Sequence, residues 1–180
     1  DYSNGNDGIL VKGSDSVGAL KGEQVTLVEL SVSHYLLARA LESADLAMTD
    51  VNTVNTADAD IAGAFTSDDV TAAVAWNPQL ATMKATDGAT LVFSSADIPG
   101  EIVDLLVVDT ALIKANPKLG QALAGIWYET MALMAQDTAE GEAARAAMAK
   151  LAGTDLETFE GQMETTYLYA DPAAAVSATS

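Results

Sequence analysis

The chain has 180 residues, 49% of them hydrophobic, with no cysteine, one histidine, and 26 acidic against 8 basic side chains for a formal charge of −18. That length buries roughly 70% of the unfolded surface, enough for one or two small domains, while the charge repels phosphate backbones and anionic lipid heads and so makes nucleic acid and membrane surfaces poor partners. Without cysteine there is no disulfide framework or zinc ribbon, one histidine cannot make a His-rich metal site, and no apolar run approaches the roughly 18 residues of a membrane helix.

After a turn-rich opening, Asp1 to Asp7, the run Gly8 to Lys12 reads as a strand, and Gly13 to Gly22 is a Gly/Ser/Asp connector. Gln24 to Glu29 alternates as a strand should, and Ser31 precedes Val32, Leu36, Leu37, Ala40 and Leu41 at helical spacing. The pattern then repeats. Val51 to Asn55 is a strand, Asp58 to Phe65 a helix, Val70 to Trp76 a strand, a helix starts at Pro78, and Ala89 to Phe93 is a strand. Such alternation predicts a doubly wound parallel sheet with right-handed crossovers. Ile102 to Val108 is a further apolar run with the look of a strand, Asn116-Pro117 opens a long helix carrying Leu119, Leu123, Ile126, Trp127, Met131 and Met134, and the remainder is Ala-rich and helical.

These elements predict three parts. Residues 1–19 form part of a first lobe and a hinge crossing, residues 20–100 form a complete α/β lobe, and residues 101–180 form a second crossing and a helical portion of the first lobe. The chain begins at Asp1 and not at Met, so a removed upstream signal peptide, and a fragment of a longer protein, are expected.

Parallel sheets bind ligands at the carboxyl ends of their strands. Glu29, Ser31, Ser33 and His34 fall at the first such end, where a helix start offers unpaired backbone N–H groups to a ligand oxygen; the serines alternatively only cap the helix and His34 covers its first turn. Trp76 and Asn77 end another strand. An aromatic face and an amide there can sandwich a small polar molecule, or form a core Trp with an Asn cap. Asn4 and Asp7 belong to the opening segment, which is otherwise a tight turn. Glu101 and Asp104 flank an apolar stretch, where Asp104 either faces a cleft or pairs with a donor.

Enzyme signatures are missing. The sequence contains no GxSxG elbow, GxGxxG, P-loop or HExxH. Ser33 and His34 are neighbours that point about 100° apart on a helix and do not pair as nucleophile and base. No catalytic residue, metal site or cofactor is therefore assigned.

The segments DYSNGND (1–7), LKGEQV (20–25), VSHYLLARAL (32–41), WNPQL (76–80), IPGEIVD (98–104) and WYETMAL (127–133), taken in order, resemble periplasmic solute-binding proteins of the nitrate, sulfonate and taurine ABC-transporter group, closest to the subgroup encoded beside urea carboxylase. Leu30 stands where many oxyanion-binding relatives carry a glycine. The resemblance implies a two-lobed clamshell that captures a small-molecule solute, acts in the periplasm, and docks on a membrane permease without inserting in the membrane. It also implies that the turns around Asn4 to Asp7, Ser31 to His34 and Trp76-Asn77 line the cleft, with Glu101 to Asp104 at a crossing. No Lys or Arg lies in these turns, whereas Asp7, Glu29, Glu101 and Asp104 do, so a nitrogen-rich solute such as urea, an amide or a guanidine is expected. The alternatives are a nitrate, taurine or sulfonate cargo, or the effector domain of a transcriptional regulator. An enzyme of the thiamine-pyrimidine synthase type shares the fold but depends on a cysteine-rich motif that this chain lacks.

Overall fold

Along Ile9, Leu10 and Val11, and again along Ala72 to Ala75, every side chain is buried, so these strands need cover on both faces. The structure, a computed structural model, describes residues 1–178. Its strands β1 (Asp7–Lys12), β2 (Gln24–Leu27), β3 (Asn52–Asn55), β4 (Ala72–Trp76) and β5 (Ala89–Ser94) make a five-stranded sheet in the order β3-β2-β4-β1-β5. Helix α1 (Val32–Ser43) covers one face, packing Leu36, Leu37, Ala40 and Leu41 with Ile9, Val11, Val25, Leu27, Ala72 and Val74. The other face takes α2 (Asp58–Thr66) and α3 (Gln79–Lys84), whose Ile61, Phe65, Leu80 and Met83 pack on Leu10, Ala73 and Ala75. The period of two in the strands thus sends alternate residues into two separate cores. Burying each of these Leu, Ile or Phe side chains contributes roughly 1.5–3 kcal/mol.

The sheet is α/β and doubly wound, as expected, but one strand runs against the others. β2 pairs in parallel with β3 and β4, whereas β1 is antiparallel to both β4 and β5. Consequently the amino end of β1 lies with the carboxyl ends of its neighbours, with Asp7 opposite Trp76 and Gly8 opposite Ser94.

The chain divides into two compact units, Tyr2–Val103 and Asp104–Ser180 with Asp1. Within the first of these units β1 is an interior strand of the sheet, and a one-turn 3-10 helix, Val17–Leu20, buries Leu20. The run Ile102 to Val108 is not a strand. Val103 makes one bridge to Tyr2, and Leu105, Leu106 and Val107 are 62%, 68% and 81% exposed, because their backbone meets no partner strand among the described residues.

In the second unit Asp109 caps a short helix, α4 (Thr110–Ala115), by accepting from the Ala111 and Leu112 N–H groups. It is followed by α5 (Leu119–Met134), α6 (Ala139–Leu151), α7 (Leu156–Glu164) and α8 (Pro172–Ala178). Arg145 binds this unit together. Its Nη1 donates to the carbonyls of Met134 and Gln136 at the end of α5 (2.7 and 3.1 Å), and its Nε to Glu160 on α7 (2.6 Å).

Candidate functional site

The sheet's topology collects most of the sequence-selected residues at one edge. Leu27, Asn55 and Trp76 end β2, β3 and β4, α1 to α3 start from there, and the reversed β1 brings Asn6 and Asp7 to the same side.

At the start of α1, Ser31 is the cap. Its Oγ accepts from the Ser33 N–H at 3.1 Å and donates to the Val28 carbonyl at 2.7 Å. The His34 and Tyr35 N–H groups turn back to the Ser31 carbonyl. The N–H groups of Ser31 and Val32 have no partner among the described residues. The Ser33 side chain is fully buried and its hydroxyl is also without a partner. The capping reading of Ser31 is thus observed, and because the cap engages only one of the first N–H groups it leaves others with hydrogen-bonding capacity.

His34 is not free to act as a base. Its Nδ1 accepts the Leu30 N–H at 3.1 Å, holding a leucine with φ +60° that is 95% exposed. Glu29 is engaged too, its carboxylate accepting from Thr53 Oγ1 at 2.8 Å while its N–H donates to Asn55 Oδ1 at 3.0 Å.

Asn77 is tied to the opening turn. Its N–H reaches the Asn6 carbonyl (2.9 Å), its Nδ2 reaches Asn6 Oδ1 (2.8 Å), and its Oδ1 accepts from the Ala81 N–H (3.1 Å) across a cis Asn77-Pro78 bond. Trp76 is half-buried and Asn4 is exposed on its turn, whereas Asp7 is only 4% exposed. The turn is shaped by Ser95, buried and missed in the sequence, whose hydroxyl accepts from the Gly5 N–H (2.8 Å) and meets Ser3 Oγ at 2.6 Å. A small residue after β5 gave no signal for this.

Two further acceptors went unnoticed. Gln79 Nε2 donates to Asp58 Oδ2 at 2.7 Å between the starts of α2 and α3, leaving Asp58 Oδ1 and Gln79 Oε1 enclosed and without donors.

Glu101 does not present a free carboxylate. Arg39 Nε and Nη2 grip its two oxygens at 2.7 and 3.1 Å, and the Tyr35 hydroxyl donates to Oε2 at 2.6 Å. Hydrogen bonds from Arg39 and then Tyr35 hold the Glu101 carboxyl below the usual glutamate range, and Glu101 in turn raises the Tyr35 hydroxyl. Tyr35 and Arg39 stand four apart on α1, a face the sequence displays, but their partner lies 62 residues beyond Arg39. Asp104 belongs to the other unit, where its backbone pairs with Asp1 (Asp104 N–H to Asp1 carbonyl, 3.1 Å). It lines an open, mainly apolar groove of about 680 Å³ with Leu105, Leu123 and Trp127. No grouping of His, Asp and Glu among the described residues could hold a metal ion.

A two-faced sheet with helix starts gathered at one edge is the fold of the periplasmic solute-binding proteins. The chain belongs to the NMT1/THI5-like family, which it matches over residues 10–140. Among solved structures it is similar to the periplasmic aliphatic sulphonate-binding protein SsuA of Escherichia coli (TM-score 0.77, 21% identity, 99% of this chain and 64% of that one). It is also similar to the alkanesulfonate-binding SsuA of Xanthomonas axonopodis pv. citri, bound to MOPS (0.72, 20%, 92% and 60%). A third likeness is to the ligand-binding component of an ABC-type import system from Staphylococcus aureus (0.70, 11%, 98% and 62%). The chain thus spans 60 to 64% of the length of these proteins, and at such identities the likeness is one of fold. No curated protein matches the sequence.

Proposed function

We propose that the chain is part of the solute-binding component of an ABC importer, acting outside the cytoplasm, with no catalytic step, and that it holds a small solute by a compact oxyanion of the sulfonate class. In this reading Tyr2–Val103 is the sheet-bearing lobe of a clamshell and the helices from Thr110 onward contribute to the other lobe. A membrane permease is the partner that receives the solute. No described helix is long and apolar enough to cross a membrane itself.

One observation carries the oxyanion: the donors left over at the start of α1. The Ser31 and Val32 N–H groups sit unpaired at the positive end of a 12-residue helix, on residues that are half-buried and exposed, so an anion can reach them. Counting carboxylates suggested the opposite ligand. Yet Glu29 already binds Thr53, Glu101 is filled by Arg39 and Tyr35, Asn6 Oδ1 accepts from Asn77 Nδ2, and Asn77 Oδ1 accepts from the Ala81 N–H. The sulfonate-binding proteins that share the fold support the same choice.

A second reading keeps the urea-like amide, the cargo expected of the subgroup encoded beside urea carboxylase. It is favoured by the donor-less Asp58 Oδ1 and Gln79 Oε1 and by the buried Asp7 carboxylate. The Asp58 and Gln79 acceptor atoms are enclosed whereas the α1 donors are not, which favours the oxyanion. Titration calorimetry with ethanesulfonate, taurine, nitrate, urea and guanidine separates the two. Heat with the sulfonates and none with urea or guanidine is expected; the reverse pattern would replace the oxyanion by the amide.

A further inference from the structure

We propose that Tyr35, Arg39 and Glu101 form a latch that sets the register of a strap, Ile98 to Val103, on α1, and that through this strap Arg39 acts as a positioning residue for the opening turn, Asn4 to Asp7. The inference does not depend on which solute the protein holds. Two apolar anchors, Ile98 and Ile102, 6% and 5% exposed, sink the strap into the core that α1 covers. Between them Pro99, Gly100 and Glu101 are exposed, with Gly100 turning the chain at φ +80°. Burial of apolar surface is non-directional, so the anchors hold the strap down without deciding where along α1 each residue lies.

Glu101 supplies the direction. Arg39 Nε and Nη2 meet its two oxygens at 2.7 and 3.1 Å, and the Tyr35 hydroxyl meets Oε2 at 2.6 Å. A planar guanidinium that grips a carboxylate through two N–H groups fixes orientation as well as distance. Glu42, three residues further along α1, accepts from Arg39 Nη1 and holds the fork in place. From residue 22 to residue 83 Arg39 is the only Lys or Arg, so the one permanent cation of that stretch is committed to a partner 62 residues away.

The strap in turn carries the opening turn. The Ile102 carbonyl accepts the Ser3 N–H at 2.9 Å, and the Ser95 carbonyl accepts the Ile98 N–H at 3.2 Å while the Ser95 hydroxyl accepts the Gly5 N–H at 2.8 Å. One residue on, the Asn6 carbonyl and Oδ1 accept from the Asn77 N–H and Nδ2, at 2.9 and 2.8 Å, at the end of β4. Hydrogen bonds therefore run without a gap from the middle of α1, along the strap and the opening turn, to the edge where β2 to β4 end. A strap that slips on α1 withdraws the Ile102 carbonyl from Ser3, and the order of the turn is lost with it.

The test is residue-resolved amide hydrogen exchange of the unliganded protein in the wild type, Glu101→Gln and Arg39→Lys. Loss of an exposed ion pair shifts a local opening equilibrium by roughly two- to fivefold. The Ser3, Gly5 and Asn77 amides should therefore exchange about two- to fivefold faster in Glu101→Gln, while the amides of α2 and α3 keep their wild-type rates. Arg39→Lys retains the charge and loses the fork, so it should match Glu101→Gln at the same three amides. Equal acceleration at these amides and in α2 and α3 would be a general loss of stability and overturns the inference, as does wild-type protection of the three amides in Glu101→Gln. Wild-type protection in Arg39→Lys would make charge alone the tie and overturns the setting of register by the fork.

Discussion

Replacing Ser33 by alanine should make the protein more stable and its solute weaker-bound. The serine is fully buried at the second position of α1, and its hydroxyl has no partner. A buried hydroxyl without a hydrogen bond costs about 1–3 kcal/mol, and alanine is the better helix former by about 0.5 kcal/mol. Even discounting for the small space left behind, Ser33→Ala should gain about 1–2 kcal/mol. For a unit the size of Tyr2–Val103 that raises the melting temperature by roughly 4–8 °C per kcal/mol. The solute works in the other direction. In the proposed binding mode the orphan Ser33 hydroxyl gains the oxyanion bound at the start of α1 as its partner, and losing a hydrogen bond to a charged group costs about 1.5–3 kcal/mol. Ethanesulfonate affinity should then drop roughly ten- to a hundredfold. Far-UV circular dichroism melts of the unliganded protein and calorimetric titration measure the two halves separately. A variant that melts lower than the wild type refutes the orphan hydroxyl, and one that melts higher but binds equally well refutes its part in the site.

Glu101→Gln removes the charge that Arg39 and Tyr35 hold below the usual glutamate range. Because the folded carboxyl is depressed, its contribution is present above the ordinary glutamate value and disappears as pH falls through the lower folded value. The wild type should therefore out-melt Glu101→Gln at neutral pH, with the gap closing under acid in a series of melts. Phe65→Ala empties the centre of the α2/α3 core and takes away the ring under Lys12 Nζ, 4.8 Å from its centroid, so denaturant unfolding should show a loss of about 3–5 kcal/mol. Gly141→Ala would drive a Cβ into the Gln136 carbonyl oxygen and set it 3.0 Å from that of Leu133, both backbone atoms at the end of α5. It should destabilise the helical unit by about 3 kcal/mol, read as faster amide exchange in α5 and α6.

The strands and helices of the sheet unit were visible in the sequence because each carries its own period. Ile9 and Val11 face one core and Leu10 the other, and α1 repeats its apolar residues every three or four positions. Strand direction leaves no such mark. β1 has the same apolar pattern whether it runs with or against β4, and its reversal, which brings Asp7 to the edge where β2 to β4 end, is fixed by pairings with residues more than sixty positions away. Ile102 to Val108 shows the converse. Its composition is that of a buried strand, but a strand extends only as far as its backbone groups are paired, and beyond Ile102 to Asp104 those of Leu105 to Val108 meet no partner strand among the described residues. Helix α4 was missed despite a capping signal at Asp109, since six residues give too short a period to stand out.

The position of the candidate residues in the fold was legible, and the proposed change of ligand from an amide to an oxyanion comes from hydrogen bonds that the sequence does not display. Strand ends located Ser31, Ser33, Trp76 and Asn77, but the sign of the ligand was inferred from residue types, and a residue type does not say whether its hydrogen bonds are already made. Glu29, Glu101 and His34 look like free groups in the sequence and are engaged in the fold, while two backbone N–H groups, which no sequence letter records, are left over. The charge of −18 does not overrule them. At physiological salt the field of exposed charges is screened within about 8 Å, so the distributed carboxylates act mainly on the approach of an anion. Binding is decided at contact, where each hydrogen bond to a charged group contributes about 1.5–3 kcal/mol. An acidic protein can accordingly hold an anion, provided that its nearest carboxylates are paired and its nearest donors are not.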